Sequence, residues 1–292
     1  MRSDQAYQKL QDGRRLGFCQ YGDLAGFSVF GLHGLPGSRK WFTDDNETAQ
    51  SLGIRLITVD RPGFGISDPK SNRSFLDFGD DIHELAGSFG IEKYSVFGIS
   101  GGGPYAAACA FQHPGAIHRR GLISTVNRFE NGNPPSEMAA ENRSVFTLSK
   151  RFPWLLKLML KQQKKIIEAQ PERYVRAIMR NTNHLCASDR LIMEQRDTAE
   201  FMLTHMGEAF RGGVEGTVFE ARLFTRDWGF DIKDIEVPIE LWHGREDTLS
   251  PFGPVQRLGD DIQEGNRHFI EGKGHFLTEE EGIWESILRS MK

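Results

Sequence analysis

The sequence predicts a doubly wound α/β domain whose mostly parallel sheet is interrupted by a helical insertion. Two observations indicate the sheet and its helices, and a third, a long segment without strand character, indicates the insertion. Five short runs rich in Val, Ile and Phe, most of them ending in Gly, Asp or His, lie at 28–34, 54–60, 94–100, 121–126 and 239–244. Near-continuous apolar runs of this length are typical of strands buried on both faces of a parallel sheet.

Helical patterns separate several of these runs. Residues 77–90 carry Phe78, Ile82 and Leu85 at helical spacing, and residues 104–113 form an alanine-rich stretch that opens with a proline. Proline favours the first turn of a helix because its missing N–H has no partner there anyway. Strands that alternate with helices indicate a doubly wound sheet.

The stretch from about 127 to 227 breaks this alternation, because it has several helical patterns and no convincing strand. We expect two parts: a core formed by 1–126 and 228–292, and a helical cap formed by 127–227. An insertion between two sheet strands is placed above their carboxyl ends, where open α/β sheets bind ligands.

Composition excludes several classes of protein. The 292 residues carry a net charge of −4 and a pI near 6.2, which argues against nucleic-acid binding and favours a small-molecule substrate. Cys19, Cys109 and Cys186 have no spacing that indicates a disulfide framework or a zinc site, so no metal or cofactor is expected. The amino-terminal residues have no signal-like apolar centre, and no apolar run is long enough for stable membrane insertion, so we expect a cytoplasmic protein of unknown oligomeric state.

A G-x-S-x-G motif at residues 98–102 identifies Ser100 as the candidate nucleophile. The apolar run YSVFGI precedes it and the helical stretch GPYAAACAFQ follows it. This strand–turn–helix context is the one in which such a serine is lifted out of a strand end. By itself the pentapeptide is weak evidence, and a plain Gly-Ser turn is the alternative.

A serine hydroxyl needs a base to take its proton and an acid to orient that base. For this motif the chain order is serine, acid, histidine. Two histidines follow the serine and a suitable acid: His268 lies in the alternating run RHFIE, which favours a structural role, whereas His275 lies in a glycine-rich loop beyond it. We therefore predict His275 as the general base.

The acid is predicted at the end of the strand IELW. Asp247 lies in the loop WHGRED that follows it, and the adjacent Glu246 is a close competitor. The preceding strand end, around 124–127, has no carboxylate before Glu130. We assign Asp247 as the residue that orients His275.

The glycine-rich turn at 33–37 adds a further part to the predicted site, beside the serine, the acid and the histidine. We expect the backbone N–H groups of Leu35 and Gly101, the residue after the nucleophile, to form an oxyanion hole. His33 precedes the serine in the chain, so a role in shaping this loop is the better interpretation.

Together these motifs resemble the α/β-hydrolase superfamily from about residue 16 onward. The resemblance rests on HGLPGSR, DRPGFGISD, GISGGGPYA and HGREDTLSP, with a later GHF, in that order. It implies an eight-stranded sheet and a cap that selects substrates, and the motifs are similar to those of the hydrolase group that includes proline iminopeptidases, lactonases, esterases and carbon–carbon bond hydrolases. Dehalogenase and epoxide hydrolase relatives use an aspartate where Ser100 stands, and peptidase relatives tend to have Trp where Gly101 stands.

Within the cap, residues 152–160 form a strongly apolar stretch. We expect Trp154, Leu156 and Met159 to line the substrate pocket. The lysines of one helical face (Lys157, Lys161, Lys164 and Lys165) allow three interpretations: a gate for anionic substrates, a membrane-surface helix, or a solvated face.

Three functions follow from this reading. The first is hydrolysis of a carboxylic ester or related acyl compound through an acyl-enzyme intermediate. The second is cleavage of a carbon–carbon bond, or a lactonase- or aminopeptidase-like reaction, by the same triad. The third, of a different class, is a ligand receptor or signalling protein on the same fold.

Overall fold

An eight-stranded sheet forms the centre of the computed structural model, which describes residues 6–42 and 45–292. The strands are β1 (Tyr7–Lys9), β2 (Arg15–Gly22), β3 (Phe27–Leu32), β4 (Ile54–Val59), β5 (Tyr94–Ile99), β6 (Ile117–Ile123), β7 (Ile239–Gly244) and β8 (Gly265–Ile270). Their spatial order is β1-β2-β4-β3-β5-β6-β7-β8. Strand β2 pairs antiparallel with β1 and β4, and every other pairing is parallel. The predicted mostly parallel, doubly wound sheet is confirmed.

Helices cover both faces of this sheet. They are α1 (Asn46–Ser51), α2 (Leu76–Ser88), α3 (Gly103–Gln112), α10 (Phe252–Asp261) and α11 (Glu281–Ser290). Neighbouring strand residues point to opposite faces, so Phe30 and Val96 pack with α2, α3 and α10, whereas Val29 and Phe97 pack with α1 and α11. This is why the central strands read as continuous apolar runs.

The observed strands differ from the predicted ones at their ends. Strand β6 covers 117–123, whereas the apolar run predicted a strand at 121–126. The first part of the strand was not predicted because three polar residues, His118, Arg119 and Arg120, follow Ile117 there. Strands β1 and β2 at the antiparallel edge were not predicted individually from the residues, since their sequences mix polar and apolar side chains.

Six helices lie between β6 and β7: α4 (Ala140–Arg151), α5 (Pro153–Ala169), α6 (Pro171–Arg180), α7 (Ala187–Met193), α8 (Arg196–Ala209) and α9 (Glu215–Leu223). We call residues 140–223 the helical insertion. It falls within the predicted cap at 127–227, whose limits stay a prediction.

Two carboxylates, one largely and one fully buried, join the helical insertion to loops that follow strand ends. Glu208 on α8 binds Arg39 (Oε1–Nη1 2.7 Å), beyond β3, and Glu220 on α9 binds Arg61 (Oε2–Nη2 2.7 Å), beyond β4. Separation of either pair would leave a buried charge without a partner, which is strongly destabilising. The two pairs therefore fix the insertion in place over the sheet. The insertion therefore covers the carboxyl ends of the parallel strands.

Candidate active site

Ser100 stands at the carboxyl end of β5, one of the central strands. Its φ of +54° is unusual for a residue with a side chain, and it starts a short turn that leads into α3. Such a tight reversal needs small neighbours: a Cβ placed on Gly98 would lie 2.1 Å from the carbonyl oxygen of Gly102. The glycines of the motif therefore permit the strained backbone at Ser100.

The loop after β3 brings Leu35 against this turn. A Cβ placed on Gly101 would lie 2.9 Å from the Leu35 Cβ and 3.4 Å from its backbone nitrogen. The two backbone segments predicted to supply oxyanion donors are therefore in contact. A side chain at position 101 would require Leu35 to shift.

His33 and Arg61 stabilise the loop after β3 by hydrogen bonds. The buried His33 ring bonds to the carbonyl of Gly34 through Nδ1 (2.8 Å) and accepts the backbone N–H of Arg61 at Nε2 (3.3 Å). The Arg61 guanidinium donates to the carbonyls of both His33 and Gly34. Burial lowers the pKa of His33 well below its usual value, and the Arg61 charge acts in the same direction. His33 is thus a neutral part of the loop framework.

His275 and Asp247 are hydrogen-bonded to each other. The distance from His275 Nδ1 to Asp247 Oδ2 is 2.7 Å, and both residues are buried. The other carboxylate oxygen of Asp247 accepts the backbone N–H groups of Leu249 (2.8 Å) and Ser250 (2.7 Å). Glu246 is exposed, so the structure brings Asp247, and not its neighbour, to the imidazole.

The surroundings of His275 favour its protonated form. Burial lowers the pKa of His275, but the charge and hydrogen bond of Asp247, together with the charge of Asp189, outweigh this effect and raise it above the usual value. Because Nδ1 is bonded to Asp247, Nε2 is the nitrogen left to exchange a proton.

His268, the alternative base, lies in β8 and has a different environment. Its Nε2 is 3.0 Å from Glu240 Oε2, and its ring stacks on Trp242 with centroids 3.7 Å apart. These contacts are those of a structural histidine on a strand.

Asp189 of α7 is a neighbour of the site that sequence reasoning missed. Its buried carboxylate accepts the backbone N–H groups of His275 (2.8 Å) and Phe276 (3.2 Å). The approach is so close that a Cβ on Gly274 would lie 2.2 Å from an Asp189 oxygen. The two residues are 86 positions apart and share no motif, so the sequence contains no signal that links them.

A cavity of about 200 Å³ opens at Ser100. It is bordered by Leu35, Pro36, Ser100, Gly101, Val126, Asn142, Val145, Phe146, Leu160, Gln163, Met206, Thr217 and Leu249. None of these described lining residues carries a charge at neutral pH. A larger cavity of about 630 Å³ lies between the loop 127–138 and α10 and shares Val126 with it, but Ser100 does not border that space.

The structure places the predicted pocket residues of α5 differently from our expectation. Trp154 and Met159 are 67% and 51% exposed, and neither borders the Ser100 cavity. Leu156 is buried in the core of the insertion, while Leu160 lies in the cavity wall. The apolar stretch extends around the whole helix, so composition alone did not determine which side faces the cavity.

None of the four lysines of α5 borders this cavity. Lys157 pairs with Glu215 (Nζ–Oε1 2.9 Å) and Lys164 with Glu168 (Nζ–Oε1 2.5 Å). Across the described residues, no helix is long and apolar enough to span a membrane, and no group of three or more His, Cys, Asp or Glu is arranged to hold a metal ion.

Comparison with known proteins adds the family context. The family model of the alpha/beta hydrolase fold matches residues 29–282. A 2-hydroxy-6-oxononadienedioate/2-hydroxy-6-oxononatrienedioate hydrolase from Pseudomonas putida is 26% identical and covers 94% of this chain and 91% of its own. The AB hydrolase superfamily protein YisY from Bacillus subtilis is 24% identical, and the alignment covers 88% of this chain and 89% of YisY. Among solved structures, an esterase from Exiguobacterium antarcticum superposes with a TM-score of 0.70 at 20% identity over 98% of both chains.

Proposed function

The chain belongs to the α/β-hydrolase family, and on that premise we propose that it is a serine hydrolase that cleaves a small, uncharged carboxylic ester through an acyl-enzyme intermediate. The observation that carries this proposal is the Asp247–His275 pair, with a 2.7 Å bond, combined with the strained Ser100 at the wall of a cavity. A serine at such a turn, with a histidine oriented by a carboxylate, is the arrangement of nucleophilic acyl transfer.

In the proposed reaction, Ser100 Oγ attacks the ester carbonyl carbon while its proton passes to Nε2 of His275. The backbone N–H groups of Leu35 and Gly101 stabilise the oxyanion. When the tetrahedral intermediate collapses, the carbon–oxygen bond breaks and His275 returns the proton to the leaving alcohol. Water, deprotonated by the same nitrogen, then attacks the acyl carbon; the bond from this carbon to Ser100 Oγ breaks, His275 returns the proton to Oγ, and the acid is released. Asp247 holds the ring in the required tautomer throughout.

The lining of the cavity favours an ester over the carbon–carbon bond substrates named for the Pseudomonas putida relative. A dienedioate carries two carboxylates, and burying an ionised carboxylate without a cation is costly. No lysine or arginine is among the described residues that border the Ser100 cavity, and the buried Arg61 and Arg73 share Glu220 as a counter-ion. Carbon–carbon bond cleavage is therefore the second candidate.

Covalent labelling and ester turnover test the proposal together. Wild-type protein is expected to react with a fluorophosphonate probe and to release a burst of product from a chromogenic butanoate ester. Ser100→Ala should abolish both, with turnover reduced by about 10⁴-fold or more. Ser124→Ala is the matched control, because Ser124 also has a positive φ, of 46°, beyond the neighbouring strand β6. Labelling that persists in Ser100→Ala, or is lost in Ser124→Ala, contradicts the assignment.

A further inference from the structure

We propose that the substrate carries an uncharged hydrogen-bonding group, a hydroxyl or carbonyl oxygen in addition to the scissile ester, and that Thr217 binds it. This inference rests on the proposed function and specifies its substrate class. Thr217 lies on α9, borders the Ser100 cavity and is 1% exposed. Its hydroxyl Oγ1 has no hydrogen-bond partner among the residues that the structure describes.

An unpartnered hydroxyl is unusual for a helical threonine. Threonine in a helix commonly donates to a carbonyl one turn earlier. Thr147 does so to Arg143 (2.9 Å), and Thr204 to Glu200 (3.1 Å). Thr217 is the third residue of α9, so the residue one turn earlier, Gly213, precedes the helix and has a φ of +127°. The helix start therefore leaves the buried Thr217 hydroxyl without an acceptor one turn earlier, in a side chain that borders the cavity.

The other polar side chains at the cavity already have protein partners. Asn142 donates to the carbonyl of Leu249 (3.2 Å), and Gln163 donates to the Tyr174 hydroxyl (3.4 Å). A buried polar group that lacks a partner is costly, and a ligand atom that supplies the partner gains from it. Among the described residues that border the cavity, Thr217 is the one whose polar side-chain atom is buried without any hydrogen-bond partner, so a substrate gains most by supplying one there.

The cavity wall around Thr217 has no charged side chain among the described residues, which disfavours an ionic partner. Glu220, one turn further along α9, is buried and directs its carboxylate to Arg61, Arg73 and Tyr105. Glu220 is shared by two arginines, and none of these charged side chains borders the Ser100 cavity. A hydroxyl that is surrounded by an uncharged cavity wall selects a neutral oxygen rather than a carboxylate or an amine.

Two pairs of esters that differ by one oxygen test this inference. The acyl pair is butanoate and 3-hydroxybutanoate of the same alcohol, and the alcohol pair is propyl and 3-hydroxypropyl butanoate. We expect wild-type kcat/KM to favour the hydroxylated member of at least one pair by roughly 3- to 10-fold, the effect of one neutral hydrogen bond. The succinate monoester, which adds a carboxylate to the same acyl length, should be a poor substrate.

Thr217→Val removes the hydroxyl at nearly constant shape and should bring this ratio close to one, so the hydroxylated ester of the preferred pair loses more kcat/KM than the plain ester does. Thr217→Ser keeps the hydroxyl and should retain the preference. Equal ratios in wild type and Thr217→Val for both pairs overturn the inference, and so does a wild type that prefers neither hydroxylated ester. If wild type turns over none of the esters and does not react with the fluorophosphonate, the proposed function itself has failed.

Discussion

The Asp189 carboxylate accepts the backbone N–H of His275 at 2.8 Å, which joins the helical insertion directly to the proposed catalytic loop. Asp247 holds the imidazole of the same residue at 2.7 Å. The loop is therefore fixed by its backbone from the insertion and by its side chain from the sheet. Asp189 is a positioning residue in this arrangement, because it touches His275 rather than the cavity.

Asp189→Asn is expected to lower kcat by roughly 10- to 100-fold, since one of the two backbone hydrogen bonds is lost and small displacements of a catalytic group are costly. The change also removes a negative charge that raises the pKa of His275, so the acidic limb of the pH profile should shift to lower pH. Measurement of kcat and KM from pH 5 to 9 tests both effects.

Asp197→Asn is the matched control, because it removes the same charge from an exposed position at the start of α8. Its profile should coincide with that of wild type. An Asp189→Asn variant that loses stability but retains the wild-type pH profile would assign Asp189 a structural role alone.

The wild-type rate should rise with pH through an apparent pKa above about 6.5, the ordinary value for histidine. His275 must be neutral to accept the serine proton, and Asp247 favours its protonated form, so the active species appears only as pH exceeds the raised pKa. The kcat/KM profile of the free enzyme reports this value. His268→Gln, at the structural histidine, should leave the limb in place, and a rate that is constant from pH 5 to 8 with chemistry rate-limiting contradicts the assignment.

Glu220→Gln should destabilise the protein by about 3 to 5 kcal/mol. The variant leaves Arg61 and Arg73 buried without their common counter-ion. Glu172→Gln, which breaks an exposed pair with Arg196 in the same insertion, should change the free energy of unfolding far less. Urea denaturation of the two variants makes the comparison, and similar losses from both would show that the buried network does not anchor the insertion.

Leu160→Ala should widen the cavity and shift the preferred acyl length upward, because Leu160 borders the space at Ser100. Removal of a buried leucine also costs about 2 to 5 kcal/mol of stability. Leu158→Ala, at a 59% exposed position of the same helix, should change neither quantity. The kcat/KM across acetate, butanoate and hexanoate esters, together with the unfolding midpoint, tests this, and an unchanged preference in Leu160→Ala contradicts a role in acyl selection.

Much of the fold was predictable because its causes are local. The apolar runs of β3, β4 and β5 indicate strands buried on both faces, and the structure has them there. The antiparallel strands β1 and β2 were less visible, since β1 has only three residues and β2 has polar residues and glycines among its apolar ones.

The candidate site likewise has some features that the sequence predicts and others that only the tertiary structure shows. The sequence alone identified Ser100, His275 and Asp247 as candidates, because a strained turn requires glycines around the serine and because the order of the motifs restricts the partners. Only the tertiary structure decided that Asp247 rather than Glu246 meets the imidazole, and that Leu160 rather than Trp154 faces the cavity. The contact of Asp189 with His275 also came from the tertiary structure alone. These outcomes depend on how helices pack over the sheet, and packing joins side chains far apart in the chain whose local sequences contain no record of the contact.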